Sequence, residues 1–386
     1  MRLLRSALAL VATLSFLCPA NAQEQKNFFA RTLDRILAPS RALDPNAIYV
    51  PAPRWTVALT GDVRQASFSQ KQESSLPSAR LSPSGELIIE MIPVSISADL
   101  QGKVDKGLGV QVGYGYLSLS LSKNFGGEGN DRVFSFDYQS AGFALQAQFF
   151  GYSNPVRYHQ TFAEEGHWAH WDDDRMTEKP GQLRTLLLDS FYAFNQRSFA
   201  YSAAYRGNLF QKRSAGSWMF GGKLILGEYG IDPQEEMASW MNGQARNTTA
   251  QVMLGGGYSY NLVPFHRQPY GERDKGLRNL TLNVTFLPMV TFFNQFTSTA
   301  YNDFEDGVYQ QVDKVVMNGR LQVNYVARIG IGYTHNLFSV NLSASNNDYS
   351  YRGVSAITYG GYQGSEVKTE GAFFRWATTL RLGMRF

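Results

Sequence analysis

Hydrophobic and polar residues alternate along most of this chain with a period of two, and the pattern is strictest over residues 374–386. There Phe374, Trp376, Thr378, Leu380, Leu382, Met384 and Phe386 share one face, while Arg375, Ala377, Thr379, Arg381, Gly383 and Arg385 share the other. Period two means a strand whose successive side chains point to opposite sides. One side is apolar with a single Thr; the other is small or cationic, without the mixed charges of a water-facing sheet. A strand between lipid and a wet lumen accounts for both faces.

The alternation recurs upstream. Trp55, Val57, Leu59, Gly61 and Val63 alternate with Thr56, Ala58, Thr60, Asp62 and Arg64. Val94, Ile96, Ala98 and Leu100 alternate with Ser95, Ser97, Asp99 and Gln101. Asp105-Lys106-Gly107 signals a tight turn. Val110, Val112 and Tyr114 lie out of phase with Leu117, Leu119 and Leu121, which predicts a bulge or a second turn at Tyr116. Further strands are predicted over 133–138, 143–150, 183–194, 199–209, 218–226, 250–262, 280–292, 321–333 and 337–344. With 108–121 as one strand the count is thirteen. Bacterial single-chain barrels have even counts, so twelve is expected, with ten and fourteen as the neighbouring solutions. Glycines inside these strands, among them Gly255, Gly257, Gly330 and Gly332, suit a curved wall. Assigning successive connections to alternate ends fails somewhere between Phe194 and Leu226.

The predicted fold class is therefore all-β, an antiparallel transmembrane β-barrel of about 12 strands (10–14) with a short N-terminal amphipathic helix. That helix is expected over Asn27–Pro39, where Phe28, Phe29, Leu33, Ile36 and Leu37 recur at helical spacing. It reads as a lumen plug, a lid or a leader resting on the rim. Residues 1–22 form a secretory signal, with Arg2 and Arg5, an apolar core from Leu8 to Leu17, and the small-residue site Ala20-Asn21-Ala22. Residues 23–52 then hold the helix and a linker, and 53–386 the barrel. The expected destination is the bacterial outer membrane, after export and signal cleavage. Cleavage would remove Cys18, the single cysteine.

Composition narrows the partners. Without Arg2 and Arg5 the 36 basic residues fall to 34 against 32 acidic ones, which gives no electrostatic case for nucleic acid. No mature apolar run approaches the roughly 20 residues of a membrane helix. A terminal aromatic such as Phe386 looks like the insertion signal of outer-membrane barrels. It makes outer-membrane lipid, and the assembly machinery acting through the last strand, the expected partners. No cofactor is predicted.

Two constellations carry candidate chemistry. If the apolar set of each strand faces lipid, the lumen receives Asp62, Arg64, Asp99, Lys103, Arg206, Arg320, Arg328, Arg375, Arg381 and Arg385. Arg213 is a further candidate for that set. Asp62 is the expected partner of the terminal-strand arginines. These charges read either as an interlocking network in a filled lumen or as a cationic constriction that passes or binds anions. The second cluster lies in the loop 153–181, where His167, His170, Asp172 and Asp174 are weak candidates for a divalent ion. Three functional readings stay open. They are an outer-membrane barrel acting as an anion-preferring channel or a structural surface component, a barrel-rim hydrolase, and a soluble secreted all-β binding protein.

The middle of the chain also resembles a family of exported Bacteroidota proteins known as outer-membrane barrels and catalogued as a domain of unknown function. The resemblance rests on residues 191–195 (FYAFN), 198–205 (SFAYSAAY) and 255–261 (GGGYSYN). Its most specific part is Gln211, Lys212, Arg213, Ser214, Ala215, Gly216 and Ser217. Where the family often has Pro, this chain has Ser202. The resemblance implies the barrel fold and its location, and no activity.

Overall fold

The computed structural model describes residues 43–51, 55–101, 104–125, 132–163, 167–168, 170–235, 244–270, 274–305, 308–318, 321–359 and 362–386. The predicted signal, the helix expected over Asn27–Pro39, Lys103 and Arg320 lie outside the described residues. Sixteen strands pair into one antiparallel sheet, while β1 (Ile48–Tyr49) and β11 (Phe210–Gln211) pair only with each other.

From the end that holds Trp55, here the lower end, β2 (Trp55–Leu81) runs upward. β3 (Leu87–Gln101) and β4 (Asp105–Tyr114) return beside it as one interrupted strand. β5 (Leu117–Phe125) and β6 (Arg132–Gln139) form a short hairpin. β7 (Phe143–Asn154) continues into β8 (Arg157–Phe162), and β9 (Trp171–Met176) descends into β10 (Gly181–Ala193). β12 (Ala215–Gly230), β13 (Gln244–Arg267) and β14 (Arg278–Glu305) follow in order. β15 (Val308–Asn318) and β16 (Gln322–His335) share the far side of β14. β17 (Phe338–Tyr359) and β18 (Tyr362–Arg385) complete the sheet, and β18 pairs with β2. Four strands continue a neighbour end to end, so the sixteen close a ring of twelve.

Closure is residue by residue. Leu382 lies opposite Leu59 and Leu380 opposite Gly61. At the lower rim the Trp55 amide donates to the Phe386 carbonyl (3.3 Å), and the Phe386 amide donates to the Trp55 carbonyl (3.1 Å). Among the described residues each of the twelve belt strands pairs on both sides, which removes the unpaired backbone groups that an apolar medium would penalise, while β9 above the belt keeps an open edge.

Twelve strands match the expected count, but two predicted segments change. Residues 108–121 are two strands that turn at Gly115, whose φ of 60° a side chain would disfavour, and Tyr116. Residues 199–209 form no strand. They hold a 3-10 turn, Tyr201–Ala204, that is buried throughout. Removing this false strand restores the up-down order that failed between Phe194 and Leu226.

The outer surface has a belt of exposed apolar side chains. On β2 it comprises Trp55, Val57 and Leu59, on β4 Leu108, Val110 and Val112, and on β18 Phe374, Leu380, Leu382, Met384 and Phe386. Aromatic pairs cluster toward its lower rim, as in Trp55–Tyr114 (ring centroids 5.0 Å apart), Trp218–Tyr258 (5.4 Å) and Phe265–Tyr333 (6.3 Å). Above Val63 the outward set of β2 turns polar with Gln65, Ser67, Ser69, Lys71 and Glu73, while its inward set turns from Thr60, Asp62 and Arg64 to Ala66 and Phe68. One strand thus exchanges the polarity of its two faces partway along.

This exchange corrects the orientation of β3. Val94, Ile96, Ala98 and Leu100 are buried in the apolar interior with Phe68 and Tyr158 instead of facing outward. Asp99 is consequently on the outer face, opposite Arg157 of β8, and is not a lumen charge. Above the belt, water lies outside, so the alternation that places apolar groups outward below places them inward there.

A charge at the belt midplane is costly. Leu380→Arg should destabilise the barrel by about 2–4 kcal/mol. Ser69→Arg, on the same outer surface above the belt, should stay within about 0.5 kcal/mol. Urea unfolding in lipid vesicles measures both.

Candidate functional site

The connection from β10 to β12 does not turn at the rim but folds up into the lumen. Phe199, Ala200, Tyr201, Ala203, Ala204, Leu209 and Phe210 are all buried. Small residues on the facing wall make room for it. A Cβ on Gly330 would stand 2.6 Å from the Tyr205 ring, and one on Gly332 3.0 Å from the Ala204 carbonyl. Tyr205 donates to Asn283 Oδ1 (2.6 Å), and Asn208 donates to the Gln139 carbonyl (2.9 Å). Polar contacts on several strands therefore tie the plug to the wall.

Gln211 is the central tie. Its side-chain amide donates to the carbonyls of Ser198 (2.6 Å) and Ala47 (3.3 Å), and its Oε1 accepts from the Ala200 amide (2.8 Å) and Asn261 Nδ2 (3.2 Å). The plug, the N-terminal segment and the wall thus meet on one buried side chain. The rest of the 211–217 motif fixes the same corner. Lys212 donates to the Pro45 carbonyl (2.7 Å), Ser214 accepts from the Val263 amide (3.0 Å), and Ser217 accepts from the Asn195 amide (2.9 Å). Ala215 starts β12, and Gly216 passes so close to Tyr258 that a Cβ would meet its hydroxyl at 2.1 Å. Arg213 is not a lumen residue; it is exposed at the rim and pairs with Asp44 (3.1 Å).

Above the plug lies a polar chamber of about 180 Å³, and above that the apolar side chains of the upper wall, among them Phe68, Phe150, Leu183, Ile225 and Phe373. Most of its charges come in pairs. Arg64 pairs with Asp62 (3.0 Å) and Arg206 with Asp137. Asp189 receives both Arg328 (2.6 Å) and Lys223 (3.5 Å). Below, Arg385 pairs with Asp274 (3.3 Å) and donates to the Gly207 carbonyl (3.1 Å). Arg385 thus finds its carboxylate on the lower rim and not in Asp62, which stays with Arg64 on its own strand.

Arg375 and Arg381 differ from the rest. Arg375 donates to Gln148 Oε1 (2.8 Å) and lies over the Phe150 ring (4.4 Å). Arg381 donates to Gln111 Oε1 (2.5 Å), Asn341 Oδ1 (3.1 Å) and Ser339 Oγ (3.3 Å). Both are buried, and among the described residues neither is ion-paired. The chamber lining holds five arginines and three aspartates, an excess of two positive charges carried by these two side chains. Its wall beside them, Ser343, Ser345, Ala377 and Thr379, is small and rich in hydroxyls.

Sequence reasoning missed Asp137, Asp189, Lys223 and Asp274. The first three sit on inward positions of strands it recognised, so continuing the face assignment along each strand would have found them. Asp274 follows β13 in a rim turn where no periodicity applies.

The stretch 153–181, expected as a loop, holds the β8–β9 strand pair, with Asp172 and Asp174 on β9, and the candidates for a metal do not converge. Asp174 is held by Arg157, whose guanidinium keeps that carboxyl below the usual range. Asp172 lies 3.5 Å from His159, and His167 lies 3.5 Å from Glu90. The His170 amide donates to the His167 carbonyl (2.9 Å), so their contact runs through the backbone. Among the described residues no group of three metal-ligating side chains forms.

A family model described as domain of unknown function (DUF4421) matches residues 69–363. The chain belongs to that family. The DUF4421 match begins within β2 and ends at the start of β18, so it takes in both the plug and most of the wall. Among curated proteins none matches. The solved structures that match include three of low identity. The outer membrane protease OmpT from Escherichia coli is 8% identical with a TM-score of 0.40, covering 88% of this chain and 99% of that one. A Pseudomonas aeruginosa FadL homologue is 9% identical (TM-score 0.21; 86% and 90%). The P. putida toluene transporter TodX is 7% identical (TM-score 0.20; 86% and 90%). Neither proteolysis nor transport is carried over from them.

Asp189 balances two buried cations. Asp189→Asn should cost about 3–5 kcal/mol by leaving Arg328 and Lys223 without their carboxylate. Asp172→Asn, on the exposed edge strand, should change stability by less than about 1 kcal/mol. Chemical unfolding of the refolded barrel separates the two.

Proposed function

We propose that the protein is an integral outer-membrane barrel, of Bacteroidota origin, whose closed lumen holds a small anion instead of conducting it. The polar chamber carries this reading, because its lining has two more cations than carboxylates. Buried charges need counter-charges, and removal from water makes an unbalanced pair costly. A volume of about 180 Å³ accommodates a small oxyanion with a few waters, at about 30 Å³ per water. The plug below and the apolar layer above argue against a standing pore.

The membrane location is supported by the outward apolar belt, which no soluble protein of this size would leave exposed to water. Export by the predicted signal and insertion through the last strand belong to the same proposal, as do lipid and the assembly machinery as partners. A hydrolase is the weaker reading. The described His–carboxylate pairs, His159–Asp172 and His167–Glu90, lie on the exposed upper extension, and among the described residues no serine completes a triad with them.

In planar bilayers the purified protein should be electrically silent. Replacing residues 199–209 by a Gly–Ser linker opens the chamber only from below, so the bilayer should stay silent while the apolar layer above is intact. Inorganic phosphate at constant ionic strength should raise the melting temperature of the wild type but not of the Arg375→Gln/Arg381→Gln variant. A steady wild-type current, or melting indifferent to anions, would contradict the reading.

A further inference from the structure

The outer surface holds a second excess of positive charge, unrelated to the lumen. Lys106 on β4, Lys123 on β5 and Arg132 on β6 are exposed and lie on three adjacent strands. Lys123 stands directly opposite Arg132, and Leu108 opposite Lys123, which brings Lys106 to the next outward position on the diagonal. All three share the outward face with Leu108, Leu121 and Phe134, the exposed apolar residues next below them on their strands. The cations therefore form a row immediately above the belt.

Like charges opposite each other on neighbouring strands oppose pairing. Among the described residues none of the three is ion-paired. Cations elsewhere above the belt have carboxylates beside them, as in Lys71–Glu73 (2.6 Å) and Lys179–Asp232 (2.6 Å), where the hydrogen bond lowers the Asp232 pKa and raises that of Lys179. Arg184 likewise faces Glu228 across its strand pair. Among the described residues no carboxylate is paired with the row, which leaves it open to an external anion.

The height of the row selects the kind of anion. A lipid whose chains lie along Leu108, Leu121 and Phe134 has its headgroup level with Lys106, Lys123 and Arg132. Phe125, exposed and opposite Lys106, adds an apolar surface at that level. A phosphate offers several charged acceptors, so one group can span two of the cations. The short turns 115–116, 140–142 and 336–337 lie at the lower end and the long strand extensions at the upper, the arrangement in which the upper end faces outward. Resting on the outer-membrane reading above, we infer that this row binds the phosphorylated headgroup of an outer-leaflet glycolipid.

The test places the protein in phosphatidylcholine nanodiscs and titrates a phosphorylated glucosamine-based lipid, its dephosphorylated counterpart, and inorganic phosphate. Binding is read by native mass spectrometry, and folding by heat-modifiable migration. Wild type should bind the phosphorylated lipid at least tenfold more tightly than the dephosphorylated one. Lys106→Gln/Lys123→Gln/Arg132→Gln should lose that preference while staying folded and inserted. Equal binding by the variant, or no preference in an inserted wild type, overturns the headgroup site and leaves the location intact. Inorganic phosphate that competes fully at equal concentration assigns the row to free phosphate and overturns the lipid. Failure of the folded wild type to enter a bilayer overturns both the site and the location.

Discussion

Pairing between β2 and β18 is the contact on which the rest of the molecule depends. Twelve strands with one apolar outer face cannot end in an open edge, because the unpaired amides and carbonyls would meet an apolar medium. Once Trp55 and Phe386 exchange their hydrogen bonds, every strand acquires a definite inside, and the side chains that are not apolar have only the lumen to occupy. The buried charges follow from that closure. Asp62 and Asp189 answer arginines that the wall turns inward, and Asp137 answers Arg206 of the plug.

A ring of twelve is wider than its own side chains fill, and the chain fills the remainder with itself. The plug is made of small and aromatic residues, so it packs against glycines in β16 without the clash that any side chain there would cause. Gln211 joins it to the segment before β2 and to β13, which places the most specific motif of the DUF4421 family at a structural corner. That motif positions a plug. The chamber above it exists because the wall between Arg375 and Arg381 carries only Ala377 and Thr379.

The polarity of the two faces exchanges along β2 at about Gln65, and this separates two regions that obey opposite rules. Below, the outer surface is apolar and the interior charged. Above, the exterior is charged and the interior is built from Phe68, Leu100, Phe150 and Tyr152. The row formed by Lys106, Lys123 and Arg132 lies at that boundary, where an apolar surface and a charged one are within a single lipid's length.

By itself the sequence determined the two faces of most strands and the orientation of the last one. The count of twelve needed the rule of even numbers, because the segments read as strands came to thirteen and included the plug. Period-two alternation is local, and Phe374–Phe386 shows both faces without reference to any neighbour. It also made visible which charged residues have to avoid the outer face. Tertiary structure decided what alternation cannot express. Residues 199–209 alternate like a strand but are surrounded on all sides, and only the enclosing wall makes them a plug. Val94 to Leu100 alternate in the same way as Val57 to Val63, yet they point inward because they stand above the belt. Height along the barrel is set by register with distant strands and is absent from the local pattern. The same holds for partners, since Asp274 reaches Arg385 across more than a hundred residues of chain, through closure alone.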